Sequence, residues 1–173
     1  MKPRSQPALF VGVDPGRKGG LAFFVPGQET VSVMRVIGAP SMTSPLPVLA
    51  EMAASGEYEL CAVVERCRAT MPKFRAHRAA ANLWIGYLRS QFARHNSIRT
   101  ADPQAWQSSL GVQKPGAAGW AMPYDAYAKE FACNVAPEDL TEDQAAAICI
   151  LHYGCVNRIW GAEAVAKLPK LFR

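Results

Sequence analysis

Four stretches of the chain show the alternation and the β-branched content that are typical of β-strands, and Ser97–Thr100 is a candidate fifth strand. Gly19-Gly20 and Pro26-Gly27 are turn signals that separate the first three stretches, and this arrangement predicts a β-meander. The predicted strands span about Leu9–Asp14, Leu21–Val25, Thr30–Ile37, Leu60–Glu65 and Ser97–Thr100.

A long amphipathic helix is predicted after the fourth strand, from Phe74 or Arg75 to about Arg94. Its apolar positions recur at helical spacing and should face the core: Ala81, Trp84, Ile85, Leu88 and Phe92. The opposite face is polar and mostly basic, with Arg75, Arg78, Asn82 and Arg89.

Shorter helices are predicted at Pro45–Ser55, after Asp102-Pro103 through Trp106 and Leu110, at Tyr124–Cys133 and at Glu142–Arg158. Thr141 and Gln144 fit a capping box at the start of the last helix. The intervening residues 111–123 are rich in Gly, Ala and Pro, which predicts a mobile loop.

Strands that come first and helices that come later predict an α/β layer architecture around a mixed sheet. A chain of 173 residues, half of them apolar, has the size of one domain, and we expect residues 1–7 and 160–173 to be peripheral tails. No stretch is apolar and long enough for a signal peptide or a membrane span. Five scattered cysteines without a C-x-x-C pair are typical of buried thiols, so we expect a soluble cytoplasmic protein.

Acidic residues stand at the ends of several predicted elements. Asp14 ends the first strand, Glu65 ends the fourth, and the last helix is preceded or begun by Glu138, Asp139, Glu142 and Asp143. Hard divalent cations such as Mg²⁺ need oxygen ligands from separate elements that leave coordination positions open. The pattern favours one metal centre, although each acidic residue alone is equally explained as a cap of an element end.

The whole chain has a net charge of +5, and its positive charge is concentrated in one segment. Residues 66–101 contain no Asp or Glu but carry eight basic residues: Arg66, Arg68, Lys73, Arg75, Arg78, Arg89, Arg94 and Arg99. A basic block that begins directly after a candidate metal ligand would attract a polyanion to that ligand. The alternative is a solvated basic surface without a ligand.

These motifs together resemble the RuvC-like Holliday junction resolvases of the RNase H-like superfamily. The matching segments are Val11-Gly12-Val13-Asp14-Pro15-Gly16, Val63-Val64-Glu65, Asp102-Pro103-Gln104-Ala105-Trp106 with Leu110-Gly111, and Glu142-Asp143-Gln144-Ala145-Ala146-Ala147. The resemblance implies an RNase H-like mixed five-stranded sheet flanked by helices, a homodimer, and four acidic residues that hold two Mg²⁺ ions, with Mn²⁺ as a substitute.

Three of those acidic residues match directly, namely Asp14, Glu65 and Asp143. The family often places the fourth three residues before the last Asp, where this chain has Leu140. We expect Asp139 to be the fourth catalytic and metal-binding residue, since positions i and i+4 meet on one helical face if the helix starts early. Glu142 is the substitute if the first helical turn is distorted.

The resemblance implies a metal-dependent endonuclease that resolves four-way DNA junctions by paired incisions, in a bacterium or a phage-infected cell. Phe74 or Met71 would wedge between bases, although a hydrophobic staple of the helix explains Phe74 equally well. The small residues Ala79, Ala80 and Ala81 would suit the dimer contact, and internal packing explains them nearly as well. The expected DNA contacts are Arg17, Lys18, Arg66, Arg68, Lys73, Phe74, Arg75 and Arg78.

Three other functions are compatible with the sequence. A phosphotransferase or ATPase would use Asp14-Pro15-Gly16 as a phosphate loop, but such folds usually need two similar domains. A non-catalytic nucleic-acid-binding module would keep the basic block, yet the carboxylates would weaken its binding. Another nuclease of the same fold would act on flaps or RNA-containing substrates. None of the histidines, His77, His95 and His152, is included among the expected site residues.

Overall fold

A computed structural model describes residues 6–25, 27–68, 70–93 and 96–160. The predicted tail residues 1–5 and 161–173, and the positions of Arg94 and His95, lie outside the described residues. The strands are β1 Ala8–Asp14, β2 Lys18–Phe24, β3 Ser32–Ile37, β4 Glu59–Glu65, β5 Asn96–Ala101, β6 Val112–Gln113 and β7 Met122–Pro123. The helices are α1 Pro47–Ser55, α2 Arg75–Gln91, α3 Pro103–Leu110, α4 Tyr124–Ala128 and α5 Glu142–Val156, with short 3₁₀ turns at Pro72–Phe74 and Pro137–Asp139.

The central sheet has five strands in the order β3-β2-β1-β4-β5. Strands β1, β2 and β3 form an antiparallel meander, and β4 and β5 run parallel to β1. Alternate strand residues point to opposite faces, so Phe10 packs with α3, α4 and α5 while Leu9 and Val11 pack with α1 and α2. The predicted α/β class and the mixed five-stranded sheet are confirmed.

Helix α5 lies directly on β1 and β2 because two glycines allow close approach. A Cβ atom at Gly12 would overlap with the carbonyl oxygen of Ala147, and one at Gly20 would overlap with the carbonyl oxygen of Asp143. The prediction that Gly19-Gly20 forms a turn is wrong, because both residues lie inside β2. Their role is to admit the helix backbone, and this contact brings the start of α5 to the end of β1.

The start of α5 is fixed by its capping box, as predicted. The Thr141 hydroxyl accepts the backbone N–H of Gln144 at 3.3 Å, and the Gln144 side-chain oxygen accepts the backbone N–H of Thr141 at 3.0 Å. Most of the residues that follow are buried, because α5 lies between the sheet and the smaller helices α3 and α4.

Two expectations for the helical layers need correction. Ala81 is fully buried against the sheet, so it is not part of an outer dimer surface. Trp160 is partly buried and packs against Phe10 with ring centroids 5.4 Å apart, so this first residue of the expected C-terminal tail contacts the core. No helix within the described residues is long and apolar enough to cross a membrane.

Candidate metal centre

Two carboxylates and an imidazole converge at the carboxyl edge of the parallel strands. Asp14 ends β1 and Glu65 ends β4, and the pairing of Val13 with Val64 places the two acidic residues side by side. His77 reaches the same point from the first turn of α2. One possible ligand atom from each of Asp14, Glu65 and His77 lies within 4.8 Å of the other two. This cluster has the donor types and spacing of a metal site.

Asp14 carries the clearest electrostatic signature of the cluster. Its Oδ1 accepts the backbone N–H of Gly16 at 3.0 Å, which fixes the carboxylate at the strand end. Burial and, next, the charge of Glu65 raise the pKa of Asp14 to about 7, with a further contribution from Asp143, while Gly16 and His77 act in the opposite direction. The protein alone therefore does not compensate the negative charge here, and a bound cation would.

Glu65 is held by hydrogen bonds on both of its oxygens. Oε1 lies 2.9 Å from Nε2 of His77, and Oε2 accepts the indole N–H of Trp106 at 2.6 Å. The Glu65 side chain is only 12% exposed, so these partners set its orientation. The hydrogen bond to Glu65 raises the pKa of His77. The other ring nitrogen of His77, Nδ1, is buried and has no hydrogen-bond partner within the described part of the chain.

Asp143 is brought to this edge by the glycine contact of α5. Its carbonyl lies against Gly20, and Gly20 is the strand partner of Asp14. Burial raises the pKa of Asp143, and the positive charges of Arg35 and Lys18 oppose that rise. The charge of Asp143 also raises the pKa of Asp14, so this third predicted carboxylate acts on the cluster from a separate element, and it lies outside the set of ligand atoms within 4.8 Å of one another.

Glu142 connects to the cluster through an aromatic bridge. Its Oε1 accepts the hydroxyl of Tyr124 at 2.8 Å and lies 3.3 Å from the ammonium of Lys114. The ring of Tyr124 packs edge-on against Trp106, with centroids 5.8 Å apart, and Trp106 donates to Glu65. Burial, the hydrogen bond to Glu142 and the charges of Glu142, Asp14 and Glu65 all raise the pKa of Tyr124. Tyr124 therefore lies in the field of the whole carboxylate group.

The early helix start on which the choice of Asp139 depended is not present. Asp139 is exposed in the separate 3₁₀ turn, Leu140 is extended, and α5 begins at Glu142 behind the Thr141 cap. The capping box ends the helix there, so Asp139 and Asp143 do not share a helical face. Glu142, the substitute, is the residue linked to the cluster by side-chain contacts.

An arginine-lined cavity adjoins the end of β4. It has a volume of about 180 Å³ and is lined by Arg66, Cys67, Arg68, Arg78 and Thr100. The backbone around it is fixed, because the N–H of Arg66 donates to Ala101 and that of Arg68 donates to the Asp102 carboxylate. We call it the arginine cavity. Guanidinium groups around a concave surface match the geometry of phosphate oxygens.

The remaining expected DNA contacts lie on both sides of the carboxylates. Arg17 and Lys18 are exposed where β1 turns into β2, and the charge of Lys18 acts on Asp143. Arg75 is exposed at the start of α2. The ammonium of Lys73 lies 5.0 Å from the ring centroid of Phe74, which is half-buried in front of α2.

Three contact residues were not predicted as parts of the site. His77 lies twelve residues after Glu65 in a basic helix, and its sequence neighbours carry no ligand pattern. Trp106 was noticed only as part of a resembling segment, and Tyr124 only as the start of a helix. Their proximity to Glu65 and Glu142 is tertiary, so spacing along the chain carries no signal for it.

Comparison with known proteins identifies the fold class. No protein-family model matches the chain, and no curated protein matches its sequence. The mixed five-stranded sheet with flanking helices is an RNase H-like α/β fold. One similar solved structure is that of T. thermophilus RuvC in complex with Holliday junction substrate, with 14% sequence identity and a TM-score of 0.53, covering 89% of this chain and 96% of that one. At this identity the likeness shows the fold, and it confirms the fold class that the resemblance implied.

Proposed function

We propose that this protein is a metal-dependent endonuclease that cuts branched DNA, and that a four-way junction is its substrate. The observation that carries the proposal is the convergence of Asp14, Glu65 and His77 at one sheet edge, with the charge of Asp143 acting on Asp14 and the arginine cavity starting at the residue after Glu65. The similar structure, T. thermophilus RuvC, contains a Holliday junction substrate. That likeness supports the junction as the first substrate to test.

The donor set fits Mg²⁺ or Mn²⁺. Carboxylate oxygens are the preferred ligands of both ions, and the raised pKa of Asp14 reflects negative charge that a cation would neutralise. We propose that Asp14, Glu65 and Asp143 hold two such ions, with Glu142 as the fourth carboxylate and Asp139 as the weaker candidate. When bound, the ions would activate water for in-line attack on a phosphodiester and stabilise the departing oxygen.

The chain's own residues orient the reaction. Asp14 is held at a strand end by Gly16, so it would offer a bound ion a carboxylate in a fixed position. His77 and Trp106 each hold one oxygen of Glu65 and leave its remaining lone pairs in a set direction. We assign both as positioning residues for Glu65.

The arginine cavity would bind phosphates of the substrate next to the scissile bond. Such contacts are independent of base sequence and place the strand relative to the carboxylates. Arg17, Lys18, Lys73 and Arg75 would extend this surface, and Phe74 or Met71 would meet the bases at the branch point. Unstacking is least costly where stacking is already interrupted, which favours a junction over plain duplex.

We further propose that the active form is a homodimer, because two symmetric incisions match the pseudo-symmetry of a four-way junction. The exposed residues of the small-residue segment of α2, such as Ala79, are the candidates for contact, since Ala81 is buried. Such an enzyme would act in the cytoplasm of a bacterium or of a phage-infected cell.

A cleavage panel tests the proposal. The purified protein is incubated with Mg²⁺ or Mn²⁺ and a four-way junction, a flap, plain duplex DNA and an RNA/DNA hybrid. We expect paired incisions in the junction, no cleavage by Asp14→Asn, and unchanged cleavage by Glu51→Gln, which removes an exposed carboxylate on α1. Preferred cleavage of the flap or the hybrid would select another nuclease of the same fold. Junction binding without cleavage under any metal would select the non-catalytic module.

A further inference from the structure

The segment between α3 and α4 forms a closed loop next to the candidate metal centre. Its two ends pair as short parallel strands, with Val112 opposite Met122 and Gln113 opposite Pro123. The backbone N–H of Met122 also donates to the carbonyl of Gly111 at 3.2 Å. We call residues 111–123 the closed loop.

Trp120 is presented to solvent by this loop. Its relative exposure is 106%, above that of every other exposed large hydrophobic residue in the described part of the chain. By contrast, Trp84 and Trp106 are fully buried in the two cores. An indole left completely hydrated gives up the stabilisation that burial would provide, so its exposure is not explained by folding.

The loop is braced internally by Gln113. The Gln113 side chain donates to the carbonyl of Ala117 at 3.1 Å, and it lies so close to Gly119 that a Cβ there would be 2.5 Å from its Oε1. Gly119 precedes Trp120 directly and has a φ of 155° that other residues rarely adopt. These contacts pre-organise the backbone that carries Trp120.

The base of the loop is tied to the carboxylates. Lys114 lies 3.3 Å from Glu142, and Tyr124, directly after the loop, donates to the same carboxylate. Trp120 precedes Tyr124 by four residues, so their Cα atoms are at most about 14 Å apart. Lys114 is the one charged residue in the sequence of the closed loop, and its ion pair with Glu142 holds the loop at the carboxylates, so what the loop offers to a ligand is the open aromatic face of Trp120.

We propose that Trp120 is a base-stacking residue that binds an unpaired nucleobase of the substrate strand beside the cleaved phosphodiester. The inference rests on the proposed function and adds the single-stranded character of the recognised nucleotide. Full exposure leaves the indole faces open, and stacking on an aromatic side chain is independent of base identity. The neighbours Gly116, Ala117, Ala118 and Gly119 are small, and Met122, 49% exposed, is the one other large apolar side chain that this described loop exposes. Two such side chains fall well short of the area that a stable protein interface buries.

Binding measurements without cleavage test this inference. Wild type, Trp120→Ala, Trp120→Phe and the control Leu83→Ala, which removes another exposed apolar side chain, are titrated at low salt in EDTA. The probes are a fluorescently labelled 20-nucleotide oligo(dT) and a 20-base-pair duplex. We expect Trp120→Ala to weaken oligo(dT) binding about tenfold and duplex binding less than twofold. Trp120→Phe should keep most of the affinity, and Leu83→Ala should match wild type.

The outcomes separate the two proposals. Equal affinities of wild type and Trp120→Ala for oligo(dT) would overturn the stacking role while leaving a DNA-binding nuclease in place. An equal loss on both probes would also overturn it, because a general surface contact would then be responsible. A change in sedimentation of the free protein by Trp120→Ala, with unchanged oligo(dT) affinity, would assign Trp120 to self-association instead. Absence of binding to either DNA by wild type would overturn the proposed function together with this inference.

Discussion

Replacing Asp14 with Asn is expected to stabilise the metal-free protein while removing its response to metal. Asn keeps the carbonyl oxygen that accepts the N–H of Gly16, so the local hydrogen bond survives. The substitution removes the negative charge of Asp14. Burial of that charge and its proximity to Glu65 raise the pKa of Asp14 to about 7. The substitution therefore isolates the electrostatic cost of the carboxylate cluster in the absence of added metal.

The sign and size of the effect follow from the pKa. In the unfolded chain Asp14 ionises near pH 3.8, whereas in the folded protein it ionises near pH 7. The folded state thus holds its proton more tightly, and ionisation lowers the free energy of unfolding as the pH rises from about 4 to 7. The full difference corresponds to at most about 4 kcal/mol. Relaxation and partial solvent screening reduce it to about 2–3 kcal/mol.

Thermal unfolding in EDTA at pH 5 and pH 8 measures this difference. At pH 8 we expect Asp14→Asn to melt about 5–10 °C above wild type, with a smaller gap at pH 5. Added Mg²⁺ or Mn²⁺ should raise the melting temperature of wild type but not that of the variant. Glu51→Gln, the exposed control, should follow wild type throughout. A lower melting temperature for Asp14→Asn at pH 8, or a gap independent of pH, would refute the electrostatic reasoning.

Three further outcomes are expected. Trp106→Phe keeps an aromatic side chain but loses the indole N–H that donates to Glu65, so Mn²⁺ affinity in a calorimetric titration should fall about 10-fold or more; unchanged affinity would exclude the positioning role. Glu142→Gln should reduce junction cleavage more than Asp139→Asn, and the reverse ranking would restore Asp139 as the fourth ligand. Replacing the three arginines of the arginine cavity with Gln should lower the slope of log K for DNA binding against log salt on duplex arms by up to about 2.7. An unchanged slope would show that the DNA binds to another part of the surface.

Local pattern predicted most of the fold. The strands β1 and β4 are mostly buried runs with clear ends, and the capping box of α5 is a short-range signal that the structure retains. The positions of Asp14 and Glu65 follow from the same logic, because parallel strands present their carboxyl ends at one edge.

The wrong predictions concern residues whose position depends on tertiary contacts. Gly20 is indistinguishable in sequence from a turn glycine, yet its function is to admit the backbone of α5. The choice of Asp139 required the last helix to start early. Instead, Thr141 caps the helix, and α5 begins at Glu142. Trp160 follows the last helix like the start of a tail, and only the space above Gly154 and Phe10 shows that it packs inward.

The side-chain contacts of Glu65 could not be predicted from the sequence for a related reason. A histidine on a basic helix has no ligand spacing, and the approach of His77 to Glu65 depends on how the chain after β4 enters α2. Side-chain partners such as Trp106 come from an element forty-one residues away. Periodicity and motif spacing do not encode such distances.

Anomalous diffraction from crystals grown with Mn²⁺ tests the central claim most directly. The account predicts a strong anomalous peak within coordination distance of the carboxylates of Asp14 and Glu65, and a second peak towards Asp143. The same crystals of Asp14→Asn should lose the first peak. Peaks only elsewhere on the surface, or none at saturating Mn²⁺, would contradict the assignment of this sheet edge as a metal centre.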